Sequence, residues 1–264
     1  GNPHVKTPVL DNLARQSVRF NNFYVCPVSA PTRAGLMTGR YSLRTGVRDT
    51  YNGGAMMAYS EVTIAEMLRE AGYATGIFGK WHLGDNYPMR PCDQGFDESV
   101  VHLGGGMGQP GDITTWPKKD SSYFNPVLWN NGKQRKYKGY CSDVFAGEAI
   151  KFIEQNSNTP FFCYLAFNAP HTPLQVPGEY YNIYRNIDPS AGFANDSRPF
   201  PAMSEKETAA VLDQIAAAGL KGVKLHPDFQ CIEADSPFVI HAARLMAGRL
   251  ILLLHAGDSR HDYS

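Results

Sequence analysis

A serine and an arginine stand four residues apart in the stretch "PVSAPTRAGLMTG", with a proline between them. Pro31 favours the first turn of a helix, so Ser29 is predicted just ahead of a helix that starts near Thr32, beside its unpaired amide groups and positive dipole end. Arg33 follows one helical turn later, where its guanidinium can neutralise a charged oxygen on Ser29 or bind a tetrahedral oxyanion. The pattern predicts anion chemistry at Ser29, although a capped helix with a surface arginine also explains it.

Three further residues could take part in the same chemistry. The stretch "GYATGIFGKWHLG" places Lys80 and His82 two residues apart at the end of a predicted strand, and therefore on one face. The lysine can bind an anion, and the histidine beside it can carry a proton. His171 follows the buried strand predicted in "PFFCYLAFNAPHTPL". Taken singly, these residues also fit a solvated lysine, a hydrogen-bonded core histidine and a structural histidine.

The elements that must position these residues alternate along the chain. Helices are predicted over 7–17, 63–72 and 142–156, because apolar residues recur on one helical face in each. Strands are predicted over 18–25, before Lys80 and before His171. This order is typical of a parallel α/β sheet, in which reactive side chains collect beyond the carboxyl ends of the strands.

The segment 84–140 contains little periodicity and is predicted to form long surface loops that shape a pocket. Within it, Asn131 and Gly132 predict the turn of a small hairpin. His102 and Gly104 to Gly106 are interpreted as a mobile pocket loop.

The composition argues against several classes of partner. Lys plus Arg and Asp plus Glu both number 25, so the formal net charge is +0 and no excess charge points to nucleic acid or an anionic membrane. No stretch approaches the ~18 consecutive apolar residues of a membrane span. The five cysteines are odd in number and lack the spacing of a zinc ribbon or a small disulfide scaffold.

The two chemical stretches resemble the signatures of a known family. "PVSAPTRAGLMTG" is similar to the first signature of the sulfatases, and "GYATGIFGKWHLG" to the second. The flanking "DNYPMRPCDQGFD" and "FFCYLAFNAPHTPLQVP" are also similar to bacterial arylsulfatase-like enzymes. Two long signatures in the right order are far more specific than one short motif. The resemblance covers roughly residues 3–187 and implies part of an alkaline-phosphatase-like parallel sheet with helices on both faces.

The resemblance implies a sulfuric ester hydrolase that cleaves a sulfate monoester. In this family the residue at the Ser29 position is oxidised by a sulfatase-maturating enzyme to formylglycine, whose hydrated aldehyde attacks sulfur beside calcium or magnesium. Ser29 would be nucleophile and metal ligand. Arg33 would steady the hydrated aldehyde, and Lys80 would contact that group and the sulfate. His82 would help to eliminate sulfate, and His171 would bind sulfate and the leaving oxygen.

The implied substrate is a sulfate ester of a small molecule or a glycan, and the family suggests a periplasmic or secreted bacterial protein. Sulfatases take metal carboxylates from a strand before the position of Gly1 and from a strand well after residue 187, and we find neither here. A hard cation needs about six oxygen ligands, which Ser29 alone cannot provide. We therefore expect the isolated chain to be incomplete as an enzyme.

The tail resembles a different class of enzyme. "AAAGLKGVKLHPDFQ" and "LILLLHAGDSRHDYS" are similar to strand-end segments of metal-dependent amidohydrolases, which implies two β/α units like part of a TIM barrel, with His255 as a metal ligand. An ordinary strand-end histidine explains His255 equally well. The predicted organisation is a sulfatase-like portion over 1–187, a turn-rich junction over 188–200 and an amidohydrolase-like fragment over 201–264.

Three alternatives to a sulfatase remain open at this point. The first is a phosphomonoesterase or phosphodiesterase of the same superfamily, in which unmodified Ser29 attacks phosphorus. The second is metal-dependent amidohydrolase activity of the C-terminal part. The third is a non-catalytic remnant that binds anions or nothing.

Overall fold

A computed structural model of the chain describes residues 5–20, 22–50, 53–109, 112, 122–187, 205–217, 222–225, 237–248 and 251–254. The fold has two units, one formed by Val28–Tyr181 and the other by Gly1–Pro27 together with Asn182–Ser264. Within the described segments, no helix has the length and apolar character that a membrane span requires.

The unit Val28–Tyr181 is built on a five-stranded sheet. Its strands are β1 (Ala74–Lys80), β2 (Glu98–His102), β3 (Val127–Asn130), β4 (Lys133–Lys136) and β5 (Phe161–Ala166). They lie in the order β4-β3-β2-β1-β5. Strand β1 is parallel to both of its neighbours, whereas β3 and β4 form an antiparallel hairpin at one edge. The predicted parallel α/β sheet is therefore confirmed, with a hairpin added to it.

Helices form where the sequence offers both an apolar face and suitable ends. They are α1 (Pro8–Arg15), α2 (Ser29–Thr38), α3 (Ile64–Glu70), α4 (Cys141–Gln155), α5 (Gly178–Tyr184), α6 (Glu205–Ala217) and α7 (Pro237–Met246). At the start of α3, the Thr63 hydroxyl accepts from the Glu66 amide at 3.1 Å, and the Glu66 carboxylate accepts from the Thr63 amide at 2.8 Å. This reciprocal pair satisfies amide groups that a helix end leaves without partners.

The core of this unit lies on both faces of the sheet. Successive residues of β1 point to opposite faces. Ile77 therefore packs in the cluster that includes Ala30 of α2, and Phe78 packs in the cluster that includes Phe145 and Phe152 of α4. Because β1 is covered on both sides, its apolar residues run continuously instead of alternating with polar ones.

Two predictions about strands are wrong. Strand β2 lies inside the segment 84–140 that was expected to be surface loops, and Val100 and Val101 are buried on its opposite faces. The segment 18–25 was expected to be a strand, but its described residues form none and its apolar side chains are exposed. Both errors have one cause. Whether a short segment forms a strand depends on the strands available to pair with it, which its own residues do not reveal. The predicted turn at Asn131 and Gly132 is confirmed by positive φ angles of 45° and 77°.

The other unit contains two helix–strand pairs after residue 204. Helix α6 precedes β6 (Gly222–Leu225), helix α7 precedes β7 (Ile251–Leu254), and the two strands pair in parallel. Leu212 of α6 and Met246 of α7 belong to one buried cluster. The likeness to a TIM barrel stays a prediction. So does the role of His255, which lies outside the described residues.

Candidate active site

Ser29 and His82 meet at the carboxyl end of β1. Ser29 is the first residue of α2, whose N-cap is Val28, so the helix starts three residues earlier than Thr32, the predicted start. His82 lies two residues beyond β1, and its Nδ1 is 2.9 Å from the Ser29 hydroxyl oxygen. The other ring nitrogen, Nε2, lies 3.1 Å from the Thr50 carbonyl oxygen. The structure thus brings two predicted site residues into direct contact.

The hydrogen bonds of His82 fix where its proton sits. A carbonyl oxygen can only accept, so Nε2 carries the proton and donates it to Thr50. Nδ1 is then free to accept the hydroxyl proton of Ser29. Burial, together with the positive charge of Lys80, lowers the pKa of His82 to about 3, so the ring is neutral at pH 7. The geometry and the neutral ring allow Nδ1 to accept a proton from the side chain at position 29, but a pKa of about 3 makes it a weak base.

Arg33 is held by the sheet. Its Nη1 donates to the Lys80 carbonyl oxygen at 2.6 Å and to the Tyr164 hydroxyl oxygen at 3.4 Å. Burial lowers the pKa of Arg33, but a guanidinium starts so high that it stays charged. The side chain is thus a fixed positive charge, oriented by β1 and β5.

Lys80 is a second buried cation beside it. The residue is only 4% exposed, and burial followed by repulsion from Arg33 lowers its pKa to about 7. In the described segments, the ion pairs are Arg40–Glu61, Arg90–Asp93 and Lys151–Glu148, and none involves Lys80 or Arg33. Among the described residues, the buried Lys80 and the half-buried Arg33 thus have no carboxylate partner, which is the arrangement that an external anion would require.

His102 joins the site although its position was misread from the sequence. It is the last residue of β2, fully buried and in register with Lys80, and is not part of a loop. Neither ring nitrogen has a hydrogen-bond partner among the residues that the structure describes. Burial, then the charges of Lys80 and Arg33, lowers the pKa of His102 well below its usual value. A histidine that closes a short apolar run is the signal that could have placed it at a strand end.

His171 lies on an exposed loop after β5. Its Nδ1 is 2.8 Å from the Thr172 carbonyl oxygen, and the Tyr123 hydroxyl donates to the His171 carbonyl oxygen at 2.5 Å. The amide of Gln109 donates to the Thr172 carbonyl and hydroxyl oxygens at 3.1 and 2.8 Å. Lys80 is near enough for its charge to contribute to the lowered pKa of His171, after burial. The ring makes no described hydrogen bond to Ser29.

The glycines after β2 allow close contact with both histidines. A Cβ atom on Gly105 would lie 3.0 Å from the His82 ring, and one on Gly106 would lie 2.9 Å from Nδ1 of His171. Side chains at these positions would push the rings away. The loop therefore lies against both histidine rings, and its predicted role in lining a pocket stays a prediction.

A family model described as Sulfatase matches residues 1–224. The chain belongs to the sulfatase family. It is 32% identical to arylsulfatase J of Mus musculus over 69% of this chain and 31% of that protein. It is also 32% identical to N-acetylglucosamine-6-O-sulfatase of Bacteroides thetaiotaomicron, over 69% of this chain and 29% of that protein.

Among solved structures, this sulfatase chain resembles Ps i-CgsB in complex with k-i-k-neocarrahexaose. The TM-score is 0.61 and the identity 37%, over 71% of this chain and 45% of that one. The chain thus spans less than half the length of each of these relatives. The family match runs past residue 187 to residue 224, and the predicted domain boundaries stay a prediction.

The described residues do not provide a set of ligands for the metal that sulfatases use. No group of three or more His, Cys, Asp or Glu side chains among them could hold an ion. Within the described part of the chain, the charged residues that act on His82 are the cations Lys80 and Arg33. A divalent hard cation needs about six oxygen ligands, and Ser29 offers one. The described residues therefore do not fit a metal by themselves, and the predicted role of Ser29 as a metal ligand stays a prediction.

Proposed function

We propose that this chain contributes the Ser29-centred part of a site that hydrolyses a sulfate monoester. The observation that carries the proposal is the 2.9 Å contact between the Ser29 hydroxyl oxygen and Nδ1 of neutral His82. The buried Lys80 and the half-buried Arg33 add two positive charges at the same strand end. A nucleophilic oxygen, a proton acceptor and cations for a charged group are the parts that attack on a sulfate ester requires.

Oxidation of Ser29 to formylglycine by a sulfatase-maturating enzyme would supply an aldehyde whose hydrate carries the attacking oxygen. The residues of the chain then have separate tasks. Nδ1 of His82 accepts the proton of a hydroxyl at position 29 when sulfate leaves, and the bond from Nε2 to the Thr50 carbonyl keeps the ring in place. Arg33 and Lys80 bind sulfate oxygens and stabilise the charge that grows on them.

His171 is assigned to the leaving group. His171 is on an exposed loop, and hydrogen bonds from Tyr123 and Gln109 anchor that loop. We assign it hydrogen bonding to the sulfate and to the oxygen of the departing alcohol. Calcium or magnesium, which the family uses, would need ligands beyond the described residues.

The proposed substrate is a sulfated sugar. One relative is named for a sulfate on N-acetylglucosamine, and one structural neighbour was solved with k-i-k-neocarrahexaose. By comparison, the alternative of a phosphatase that uses unmodified Ser29 has weaker support, because the relatives above are sulfatases.

Mass spectrometry of the peptide that contains Ser29 tests the proposal. The chain is produced with and without a sulfatase-maturating enzyme, and conversion to formylglycine appears as the loss of two hydrogens. A Ser29→Ala chain, which cannot be oxidised in this way, is the control. Finding only intact serine after co-production would count against the sulfatase mechanism, and cleavage of 4-nitrophenyl phosphate by that unmodified protein would favour the phosphatase.

Sulfate binding tests another alternative, a non-catalytic remnant that binds nothing. A ligand that binds only the folded state raises the melting temperature as its concentration passes the dissociation constant. We expect sodium sulfate to raise the melting temperature of the natural chain at matched ionic strength. The increase should be smaller for Arg33→Ala. If sulfate has no effect on the natural chain, the remnant hypothesis gains.

A further inference from the structure

The edge strand β4 and the two residues after it concentrate positive charge. Four of the six residues over 133–138 are cations, namely Lys133, Arg135, Lys136 and Lys138. All four are exposed. None of them takes part in an ion pair with any residue that the structure describes. Since the net charge of the whole chain is +0, this local excess is not a general property of the surface. We call residues 133–138 the basic strand.

The basic strand reaches the same edge of the sheet as the active site. Lys136 pairs with Val127, and β3 runs antiparallel to β2 with Val100 opposite Asn130 and Val101 opposite Trp129. Extending this register by two residues would bring Val127 level with Leu103. Leu103 is one residue beyond His102, the partner of Lys80 in the β1–β2 register. Two strands, β2 and β3, separate β4 from β1, so the backbones are about 14 Å apart at a spacing of about 4.8 Å per strand.

Local contacts hold the basic strand in shape before any ligand arrives. The Asn130 side-chain amide donates to the Tyr137 hydroxyl at 2.8 Å, and the Tyr137 backbone amide donates to the Pro126 carbonyl at 2.8 Å. The Arg135 guanidinium lies 5.4 Å from the centre of the Tyr137 ring. A preformed row of charges loses less conformational entropy on binding than a flexible one.

We propose that the basic strand binds a multiply sulfated glycan chain that extends from the sulfate at Ser29. This inference rests on the proposed function, because it takes that sulfate to be part of a polyanion. Along one face, Lys133 and Arg135 are about 7 Å apart, and Lys136 projects to the other face, so the strand can contact several anionic groups at once.

The same strand suits a glycan better than a nucleic acid. Single-stranded nucleic acids are bound on basic grooves that also expose aromatic rings for base stacking. Here Tyr137 is half-buried, Arg135 lies near its ring and its hydroxyl is engaged by Asn130. Lysines on an edge strand also discourage strand pairing between molecules, and that role alone requires no ligand. The experiment must therefore separate a specific site from a protective charge.

The test compares two variants of equal net charge. In the cluster variant, the four cations of the basic strand become glutamine. In the dispersed variant, four exposed cations from separate segments become glutamine instead: Lys6→Gln, Arg15→Gln, Arg69→Gln and Lys151→Gln. Affinity for heparin is measured for the full chain and both variants at 50 to 200 mM salt, with uncharged dextran and oligo(dT) as comparison ligands. Circular dichroism and melting temperature show whether each variant is folded.

The expected result has a defined salt dependence. Four ionic contacts give a slope of roughly −3 in a plot of log affinity against log salt, so heparin binding should weaken roughly 50- to 150-fold between 50 and 200 mM salt. The cluster variant should lose most of this slope, and the dispersed variant should keep it. Dextran should not bind, and oligo(dT) should bind more weakly than heparin.

Several outcomes would overturn the inference. An equal loss of heparin affinity in both variants would show an effect of net charge alone. If the natural chain does not bind heparin, only the protective role of the lysines remains. If oligo(dT) binds as tightly as heparin, the ligand is a nucleic acid. The proposed function is tested independently, because mass spectrometry detects the oxidation of Ser29 in a peptide that does not contain the basic strand. The heparin measurement can also be made on the Ser29→Ala chain.

Discussion

Raising the pH from 6 to 8 should weaken the binding of sulfate about tenfold, because Lys80 loses its proton in this range. Lys80 is 4% exposed, and burial together with the nearby charge of Arg33 lowers its pKa to about 7. Sulfate itself remains a dianion throughout. A neutral lysine amine cannot neutralise this dianion, so only the protonated protein binds it well.

The magnitude follows from the fraction of protonated Lys80. If only that form binds, the apparent dissociation constant exceeds the intrinsic one by a factor of about 1.1 at pH 6 and about 11 at pH 8. With the ordinary pKa of 10.5 the two factors would be equal, and affinity would not change. His82 adds no dependence here, because its pKa of about 3 leaves it neutral at both pH values.

Isothermal titration with sodium sulfate at constant ionic strength measures this change. A Lys80→Arg chain is the control, because its guanidinium stays charged over the whole range and its affinity should vary much less. A Lys80→Met chain should bind weakly at both pH values. If the natural chain binds equally well at pH 6 and 8, or if Lys80→Arg shows the same tenfold loss, Lys80 is not the titrating group.

Three other perturbations follow from the same geometry. Arg33→Lys should lower the free energy of unfolding by about 1–3 kcal/mol in urea denaturation, because a lysine cannot reproduce both hydrogen bonds of the buried guanidinium. Gly79→Ala should prevent folding, because its φ is 123° and its Cβ would overlap the Ala166 carbonyl. At Gly72 a Cβ has open space, so Gly72→Ala should lower the free energy of unfolding by only about 1–2 kcal/mol, the cost of its positive φ. Below pH 6.5 the unfolded chain binds a proton at His82 that the folded chain does not bind until about pH 3. As the pH falls, His82 alone should lower the free energy of unfolding by up to about 1.4 kcal/mol per pH unit, in addition to what His102 and His171, whose pKa values are also lowered, contribute. In His82→Asn the pH dependence should be smaller by the contribution of His82.

The parts of the site that sequence predicts are those set by local rules. Pro31 near a helix start and an apolar run that ends in Lys80 each specify a backbone position without reference to the rest of the chain. The α/β order then places the helix start and the strand end at the same edge of the sheet. The structure does bring Ser29 and His82 together at 2.9 Å, as this reasoning requires.

The parts that sequence misses depend on distant partners. Strand β2 has five residues and exists because β1 and β3 pair with it, so His102 is read as a loop residue until that pairing is known. The proton position on His82 depends on the carbonyl of Thr50, which is 32 residues away along the chain. No periodicity encodes such a contact, and helix ends are uncertain by a residue or two for the same reason.

The two groups of cations in this chain should respond differently to salt, and that difference separates their roles. Lys80 is buried and Arg33 is half-buried, so salt should screen the attraction between these two cations and a bound anion less than it screens a surface contact. The cations of the basic strand are exposed, and at 0.1 M salt the screening length is only about 10 Å. If both proposed roles are correct, the binding of one sulfate group by Arg33 and Lys80 should depend weakly on salt, whereas the basic strand should retain a long polyanion only at low salt. For a glycan that contacts both groups of cations, raising the salt concentration should remove the dependence of affinity on glycan length. The requirement for a sulfate group at Ser29 should remain.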